Sequence, residues 1–82
     1  MIFIWDTPKP VEFWMKNTLV HLDMLFVAED KKIVTIKKNA EPLSEEHIPS
    51  GAPVIAVIEI AGGETDRLGI KEGDTVTWEI KK

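Results

Sequence analysis

Residues 13–26 read FWMKNTLVHLDMLF, and this stretch joins two β-strand patterns through a polar interruption. Residues 11–16 alternate weakly between apolar and polar side chains, and residues 19–28 alternate again, as half-buried strands do. Between them, Asn17 and Thr18 are residue types that tolerate turn geometry and form hydrogen bonds with nearby backbone. The stretch therefore predicts two strands joined by a turn.

Asp23 is a carboxylate inside the second of these strands, whose other side chains are mostly apolar. Its face is set by the two-residue period of a strand. One face carries Val20, Leu22, Met24 and Phe26, and the other carries Leu19, His21, Asp23, Leu25 and Val27. A carboxylate in this setting needs hydrogen-bond or charge partners if the strand is buried.

The rest of the chain adds four strand patterns and one helical turn. Residues 1–5 are apolar on both faces, which is typical of a central strand, and the proline-containing residues 6–10 indicate a bend. A charged hairpin turn (29–32), strands at 33–38, 54–61 and 75–80, a helical turn at 64–68 stopped by Gly69, and a tight turn at 71–74 complete the prediction. Six short strands and one helical turn near the C-terminus predict a mainly β domain, closed into a small, compact barrel-like shape that removes sheet edges.

Length and charge limit the class of protein. The 82 residues have room for one domain, residues 1–82, which buries roughly 60% of the surface of the unfolded chain. A net charge of -4, with 10 basic and 14 acidic residues, offers no basic face for a phosphate backbone, so no nucleic-acid partner is expected.

The absence of cysteine excludes disulfides and cysteine-ligated zinc. Abundant Glu, Lys and Ile without Gln favour a heat-tolerant source.

No membrane span or export signal is expected. The longest apolar runs, residues 1–5, 24–28 and 54–58, are far shorter than the roughly 18 residues that a spanning helix needs. Met1 is not followed by a basic segment and then an apolar one, as in a signal peptide. The sequence as written therefore predicts a soluble, cytoplasmic protein.

Residues 39–53 show no periodicity and contain three prolines, Pro42, Pro49 and Pro53. Structureless loops longer than about 12–15 residues are uncommon in compact domains and often serve function. We interpret this segment as a loop that covers a site, in the manner of a lid.

Several motifs occur in an order that is typical of one family. They are FWMKNT at residues 13–18, Leu22-Asp23, Phe26, Pro42-Leu43, Ile48-Pro49-Ser50, Val57-Ile58-Glu59, Gly62 and LGIKEGD at residues 68–74. Together they resemble the DUF192 family, also called UPF0127, over nearly the whole chain. The resemblance implies a compact, mainly β domain of uncharacterised function. It also implies that many bacterial relatives are exported.

Two features depart from the family pattern. Relatives usually carry a further N-terminal section, with a strand and an Arg-Gly-Leu-Met-Phe-Arg-like motif, before the part that matches residues 1–5. His21 stands where proline is usual. Without that section, the strand at residues 1–5 is expected to be uncovered, and an uncovered strand favours pairing between two copies. We therefore expect a homodimer formed through this strand.

A binding surface is the leading functional hypothesis. Trp14 and Lys16 share a strand face, and an exposed aromatic ring beside a cation is a common ligand platform, for sugars among others. The predicted ligand-binding residues are Trp14, Lys16, Asn17, Thr18, Asp23 and Ser50. In this hypothesis Asp23 pairs with Lys16. The domain would be a non-catalytic binding or accessory module for a small molecule, with carbohydrate among the candidates, or for a protein.

The same residues also have structural interpretations. Asn17 and Thr18 could satisfy their own turn, Asp23 could cap backbone amides, and Trp14 could pack at the rim of the core. A second functional hypothesis, a structural or assembly module, predicts that the side chains of residues 13–18 turn inward.

An enzyme is the remaining alternative, centred on Asp23 and a histidine. His21 and Asp23 lie two residues apart on one face and could offer a metal two ligands, and His47 with Glu45 or Glu46 could add a third. The enzyme would be metal-assisted or otherwise hydrolytic. A pair of this kind is a weak signal, because most histidines are solvated or satisfied in the core. No metal and no cofactor are therefore expected.

Overall fold

The computed structural model describes residues 1–78. Its elements in chain order are β1 (Ile2–Lys9), β2 (Glu12–Phe13), β3 (Leu22–Val27), β4 (Ile33–Ala40), β5 (Ile48–Pro49), β6 (Val54–Ala61) and the helix α1 (Glu64–Leu68). The predicted mainly β class, with one short helix near the C-terminus, is confirmed. Within the described residues α1 has 5 residues, so no helix there is long enough to cross a membrane.

The strands form a four-stranded antiparallel sheet, in the order β1-β6-β3-β4, and a separate two-stranded ribbon of β2 and β5. Among the described residues β1 and β4 are the edges of the larger sheet, which remains open. Within residues 1–78 the predicted closure into a barrel therefore does not occur. The ribbon and the segments around α1 instead cover the two faces of the sheet.

The central position of β3 follows from its sequence. Both faces of β3 are mostly apolar, so both can be buried, and β3 pairs with β6 on one side and β4 on the other. Met24 and Phe26 enter the core under the ribbon, whereas Leu25 and Val27 enter a second core on the opposite face. The predicted separation of β3 side chains into two faces is confirmed.

Phe13 fastens the ribbon to the sheet. Its ring makes edge-to-face contacts with Phe3, Trp5 and Phe26, at centroid distances of 5.4, 6.4 and 6.1 Å. Such pairs contribute about 0.5–1.5 kcal/mol each beyond burial. Phe13 therefore fixes the position of β2, whose neighbouring side chains point away from the core.

The interpretation of β1 as a central strand was wrong. β1 pairs only with β6 among the described strands, and Ile2 and Ile4 remain 40% and 39% exposed. It also continues through the proline-containing segment to Lys9, with an irregular register between Ile4 and Lys9. An edge strand tolerates proline, because proline has no backbone N–H to donate and the outer side of an edge strand has no neighbouring strand that would accept one.

The loop predicted at residues 39–53 begins later than predicted and is interrupted by β5. β4 extends to Ala40, and β5 pairs with β2 through Glu12 opposite Pro49 and Phe13 opposite Ile48. The strand predicted over residues 11–16 contracts to these two residues. Periodicity missed β5 because two residues, one of them proline, carry no repeating pattern.

The C-terminal half agrees more closely with the sequence. β6 and α1 have the predicted bounds, and Gly69 ends the helix with a left-handed φ of 69°. Of the strand predicted at residues 75–80, Thr75 forms an isolated bridge with Lys32, and residues 79 and 80 lie outside the described residues. Trp78 packs against the second core.

Candidate functional site

The ribbon places Trp14 across from His47. Phe13 pairs with Ile48 in the antiparallel ribbon. Trp14, which follows Phe13, and His47, which precedes Ile48, therefore face each other on the opposite side of the ribbon. Their rings meet edge to face with centroids 5.8 Å apart. Trp14 is 48% exposed, which is high for so large an apolar side chain.

Glu12 lies on the same outer face, two residues before Trp14. Its Oε2 is 2.7 Å from Nδ1 of His47, a diagonal pair across the ribbon. Both side chains are exposed, so this pair contributes little to stability. Together with the ring contact, it places a carboxylate, an imidazole and an indole side by side on this face.

Lys16 reaches the same indole from a turn. The N–H of Thr18 donates to the carbonyl of Met15 at 3.0 Å, which leaves Lys16 and Asn17 at the exposed centre of the turn. Lys16 Nζ lies 5.2 Å from the centroid of the Trp14 ring, within cation–π range. We call Glu12, Trp14, Lys16 and His47 the Trp14 surface.

Two further hollows adjoin the Trp14 surface. The surface itself lies over a depression of about 230 Å³, lined by Glu12, Phe13, Trp14 and His47. His47 also lines a second depression of about 460 Å³, which we call the polar hollow; its other walls include Lys37, Asn39, Glu41, Ser44 and Glu46. Beyond Glu12 lies a third, of about 540 Å³, which we call the proline hollow after Pro10, Pro49 and Pro53.

Asp23 lies elsewhere and is 1% exposed. Its Oδ1 accepts hydrogen bonds from the backbone N–H groups of Asn39 (2.8 Å) and Gly63 (3.3 Å), and its Oδ2 accepts one from Thr65 (2.9 Å). The ion pairs among the described residues do not include Asp23 with Lys16. The hydrogen bonds are those of the structural interpretation, in which Asp23 caps backbone amides.

A β-bulge provides one of these partners. Opposite Asp23, β4 contributes two residues, Lys38 and Asn39, where a regular ladder has one. Asn39 takes a left-handed φ of 50°, a conformation that asparagine tolerates better than most residues. Its N–H is thereby available to Asp23.

Burial acts to raise the pKa of Asp23, but the hydrogen bonds from Asn39, Thr65 and Gly63 outweigh it. The pKa of Asp23 is consequently lowered from its ordinary 3.8. The Thr65 hydroxyl contributes to the same lowering of the pKa, although its buried Oγ1 makes no hydrogen bond of ordinary geometry within the described residues. Asp23 is therefore ionised at neutral pH.

Ser50 and Thr18 also use their polar atoms within the fold. Ser50 is fully buried, and its Oγ accepts from the N–H of Val11 at 3.1 Å and donates to the carbonyl of Ala52 at 2.7 Å. The carbonyl of Thr18 accepts from the N–H of Leu43 at 2.9 Å. The structure thus brings Trp14, Lys16 and exposed Asn17 together, and places Asp23 and Ser50 in the interior.

The histidines do not converge on Asp23. His47 pairs with Glu12, while the carbonyl of His21 accepts from the N–H of Gly62 at 3.0 Å. Across residues 1–78 no group of three or more His, Cys, Asp or Glu side chains is arranged to hold a metal ion.

Residues 1–78 match the profile of DUF192, a family described as Uncharacterized ACR. The chain belongs to the DUF192 family. This DUF192 chain is similar to a protein of unknown function from Novosphingobium aromaticivorans, with 46% identity and a TM-score of 0.92, over 95% of this chain and 56% of that one. It is also similar to a candidate transcription regulator from Sinorhizobium meliloti, with 48% identity and a TM-score of 0.88, over 92% of this chain and 58% of that one.

The DUF192 chain therefore spans less than two thirds of the length of either solved structure. No curated protein matches it.

Sequence reasoning missed two members of the Trp14 surface in this DUF192 domain. Glu12 was recognisable, because the strand alternation puts it on the face of Trp14 and Lys16. His47 was not, because its position depends on the pairing of β5 with β2, which leaves no periodic signal in so short a segment.

Proposed function

We propose that this DUF192 domain is a non-catalytic binding module that takes a carbohydrate on the Trp14 surface. The observation that carries the proposal is the half-exposed indole of Trp14, framed by an ammonium group, an imidazole and a carboxylate. Exposed tryptophan offers a large rigid apolar face at little cost in side-chain entropy. A framed platform of this kind suits a ligand with one flat apolar face and a polar rim.

A pyranose ring has those properties. The C–H groups of one ring face can stack on the indole, while hydroxyl groups at the rim both donate and accept hydrogen bonds. Lys16 supplies donors and Glu12 supplies acceptors, and His47 supplies either according to its tautomer. The flexible stem of Lys16 allows its ammonium group to leave the ring as a sugar enters.

We assign the remaining predicted residues to different parts of this function. Asn17, exposed beside Lys16, is proposed to contact the ligand. Thr18 and Ser50 hold the turn and the loop that support the surface, through the hydrogen bonds described above. Asp23 is proposed to act only through the fold.

The charge of the surface favours a neutral ligand over nucleic acid. The chain carries a net charge of -4, and Lys16 is balanced at the site by Glu12. Phosphate-backbone binding needs an excess of clustered cations. We therefore do not extend the regulator description of the Sinorhizobium meliloti protein to this chain.

An enzyme centred on Asp23 has less support. Both carboxylate oxygens already accept backbone hydrogen bonds, and the group is buried away from the Trp14 surface. A general base or metal ligand needs an oxygen that a substrate or metal can reach.

Nuclear magnetic resonance tests the proposal through the indole N–H signals of the three tryptophans. Glucose and N-acetylglucosamine oligosaccharides should shift the Trp14 signal selectively. Trp14→Ala should weaken binding by about tenfold or more, the equivalent of about 1.4 kcal/mol, and Trp14→Phe by less because a flat ring remains.

Trp78→Phe is the matched control. Trp78 also has a lysine over its ring, with Lys31 Nζ 3.6 Å from the centroid, but it packs on the opposite face of the sheet. Its substitution should leave affinity unchanged. A folded Trp14→Ala variant that binds the same sugar with unaltered affinity would remove the proposal.

We also propose that two copies of the 82-residue chain pair through β1. Its outer edge faces no other described strand, and Ile2 and Ile4, on the sheet face opposite Phe3 and Trp5, are 40% and 39% exposed. When two identical edge strands pair about a two-fold axis, the unpaired backbone N–H and carbonyl groups of both copies form hydrogen bonds with each other.

A further inference from the structure

We propose that the ligand is an oligosaccharide whose successive units occupy the Trp14 surface and then the polar hollow. This inference rests on the proposed function and adds the number of sugar units in the ligand and the side of Trp14 on which they continue. The geometry that carries it is the sharing of His47, whose ring borders both depressions.

The volumes of the two depressions favour a ligand of more than one sugar unit. The depression at the Trp14 surface, about 230 Å³, is smaller than the roughly 300–1,000 Å³ typical of ligand sites. The polar hollow adds about 460 Å³ directly beside it. A ligand seated only on Trp14 would leave the adjoining hollow to water, whereas a chain that continues past His47 contacts both.

The lining of the polar hollow matches a hydroxyl-rich ligand. Lys37 and Asn39 can donate, Glu41 and Glu46 can accept, and Ser44 can do both. Lys37, Glu41 and Glu46 are exposed at this wall, so their polar ends are available to a ligand. Donors and acceptors line the same hollow, which suits a ring that carries several hydroxyl groups.

Charge selects among sugars. Lys16 and Lys37 are matched by Glu12, Glu41 and Glu46, so the two depressions have no excess of positive charge. An acidic sugar would meet repulsion from the carboxylates without a surplus of cations. The inferred ligand is therefore a neutral glycan.

The proline hollow indicates on which side of Trp14 the sugar chain continues. The proline hollow, on the far side of Glu12, is lined largely by apolar and backbone groups, including three prolines. It offers few hydrogen-bond partners for hydroxyl groups. The chain is therefore inferred to run from Trp14 past His47, and not past Glu12.

Calorimetric titration with β-1,4-linked sugars of one, two and four units, from glucose and from N-acetylglucosamine, tests the inference. In one of these series, the chains of two or more units should bind about tenfold more tightly than the single sugar. Lys37→Ala and Glu46→Ala should bring the affinity for the four-unit chain down towards that of the single sugar. Neither should change the affinity for the single sugar.

Lys38→Ala is the matched control, because it removes the same group from the next residue. Lys38 faces α1, where its Nζ lies 2.7 Å from Asp66, so its loss should leave the chain-length dependence intact. Single sugars that bind as tightly as four-unit chains would overturn the inference and leave the proposed function standing. If sugars of every length fail to shift the Trp14 indole signal, the proposed function itself falls.

Discussion

The carboxylate of Asp23 accepts a 2.9 Å hydrogen bond from the backbone N–H of Thr65, which lies 42 residues further along the chain. The first N–H groups of a helix have no partner within it, and a nearby side chain usually supplies one. Gly63, at the N-cap of α1, has no side chain to do so. Asp23 caps this helix from the neighbouring strand, and through Asn39 it also ties the end of β4 to the same point.

Asp23→Asn should lower the free energy of unfolding by about 3 kcal/mol. The amide keeps the size of the side chain, but it replaces one charged acceptor with a donor that faces backbone N–H groups, and hydrogen bonds to charged groups contribute about 1.5–3 kcal/mol. Urea denaturation measures the change. Asp66→Asn serves as the control, because its side chain is 68% exposed and its loss should change stability little. Equal effects of the two substitutions would contradict the structural role of Asp23.

The pH dependence of stability should carry the same signature. Because the pKa of Asp23 is lowered in the folded state, its contribution is fully present above the unfolded value, near 3.8. It is lost as the pH falls through the folded pKa. Urea denaturation across this acidic range should show the difference between the wild type and Asp23→Asn shrinking as the pH falls. A constant difference would mean that the charge of Asp23 is not what stabilises the fold.

Glu59 should have the opposite effect. Burial raises its pKa above the ordinary 4.5, so the folded state holds its proton more tightly than the unfolded state. Its ionisation then lowers stability as the pH rises above 4.5. Glu59→Gln should raise the melting temperature at about pH 7 and lose this advantage at about pH 4. Glu29→Gln, in the exposed hairpin turn, should change neither melting temperature.

Leu43→Gly should stabilise the protein by about 0.5–1 kcal/mol. Leu43 follows Pro42 at the third position of a turn and has a φ of 62°, which a type II turn reserves for glycine. A left-handed conformation costs a non-glycine residue about 1–2 kcal/mol, and the side chain is 56% exposed, so little packing is lost. Chemical denaturation tests this. Leu19→Gly, at a position 78% exposed without a left-handed φ, should give no gain.

Light scattering should find the 82-residue chain as a dimer that Ile4→Lys converts to a monomer. A charge on the outer strand opposes pairing of β1 with a second copy. Leu68→Lys makes the same kind of change at another exposed apolar site, 56% exposed on α1, and should leave the dimer intact. A wild-type chain that stays monomeric at every concentration would rule out pairing through β1.

Local patterns predicted the elements that depend on local chemistry. The β-branched run of β6, the helical turn ended by Gly69 and the two apolar faces of β3 were all recognisable, because each follows from propensity or from the two-residue period of a strand. The placement of β1 was not. A run that is apolar on both faces predicts burial, but it does not say which strands will lie beside it.

The candidate site divides in the same way. Trp14 and Lys16 shared a predicted face, and the turn at Asn17 was expected from residue type. Their partner His47 is 33 positions beyond Trp14, and only the pairing of two short strands brings it there. Such pairing depends on closing a long loop, which no local pattern encodes.

By itself, the sequence determined a mainly β DUF192 domain, the bounds of β6 and α1, and a buried carboxylate in need of partners. The tertiary structure alone decided that the sheet stays open, that Asp23 caps α1, and that Trp14 meets His47 at the surface. The physical reason is range. Propensity and periodicity act between neighbours in the chain, whereas each of these three outcomes depends on contacts between residues far apart in sequence.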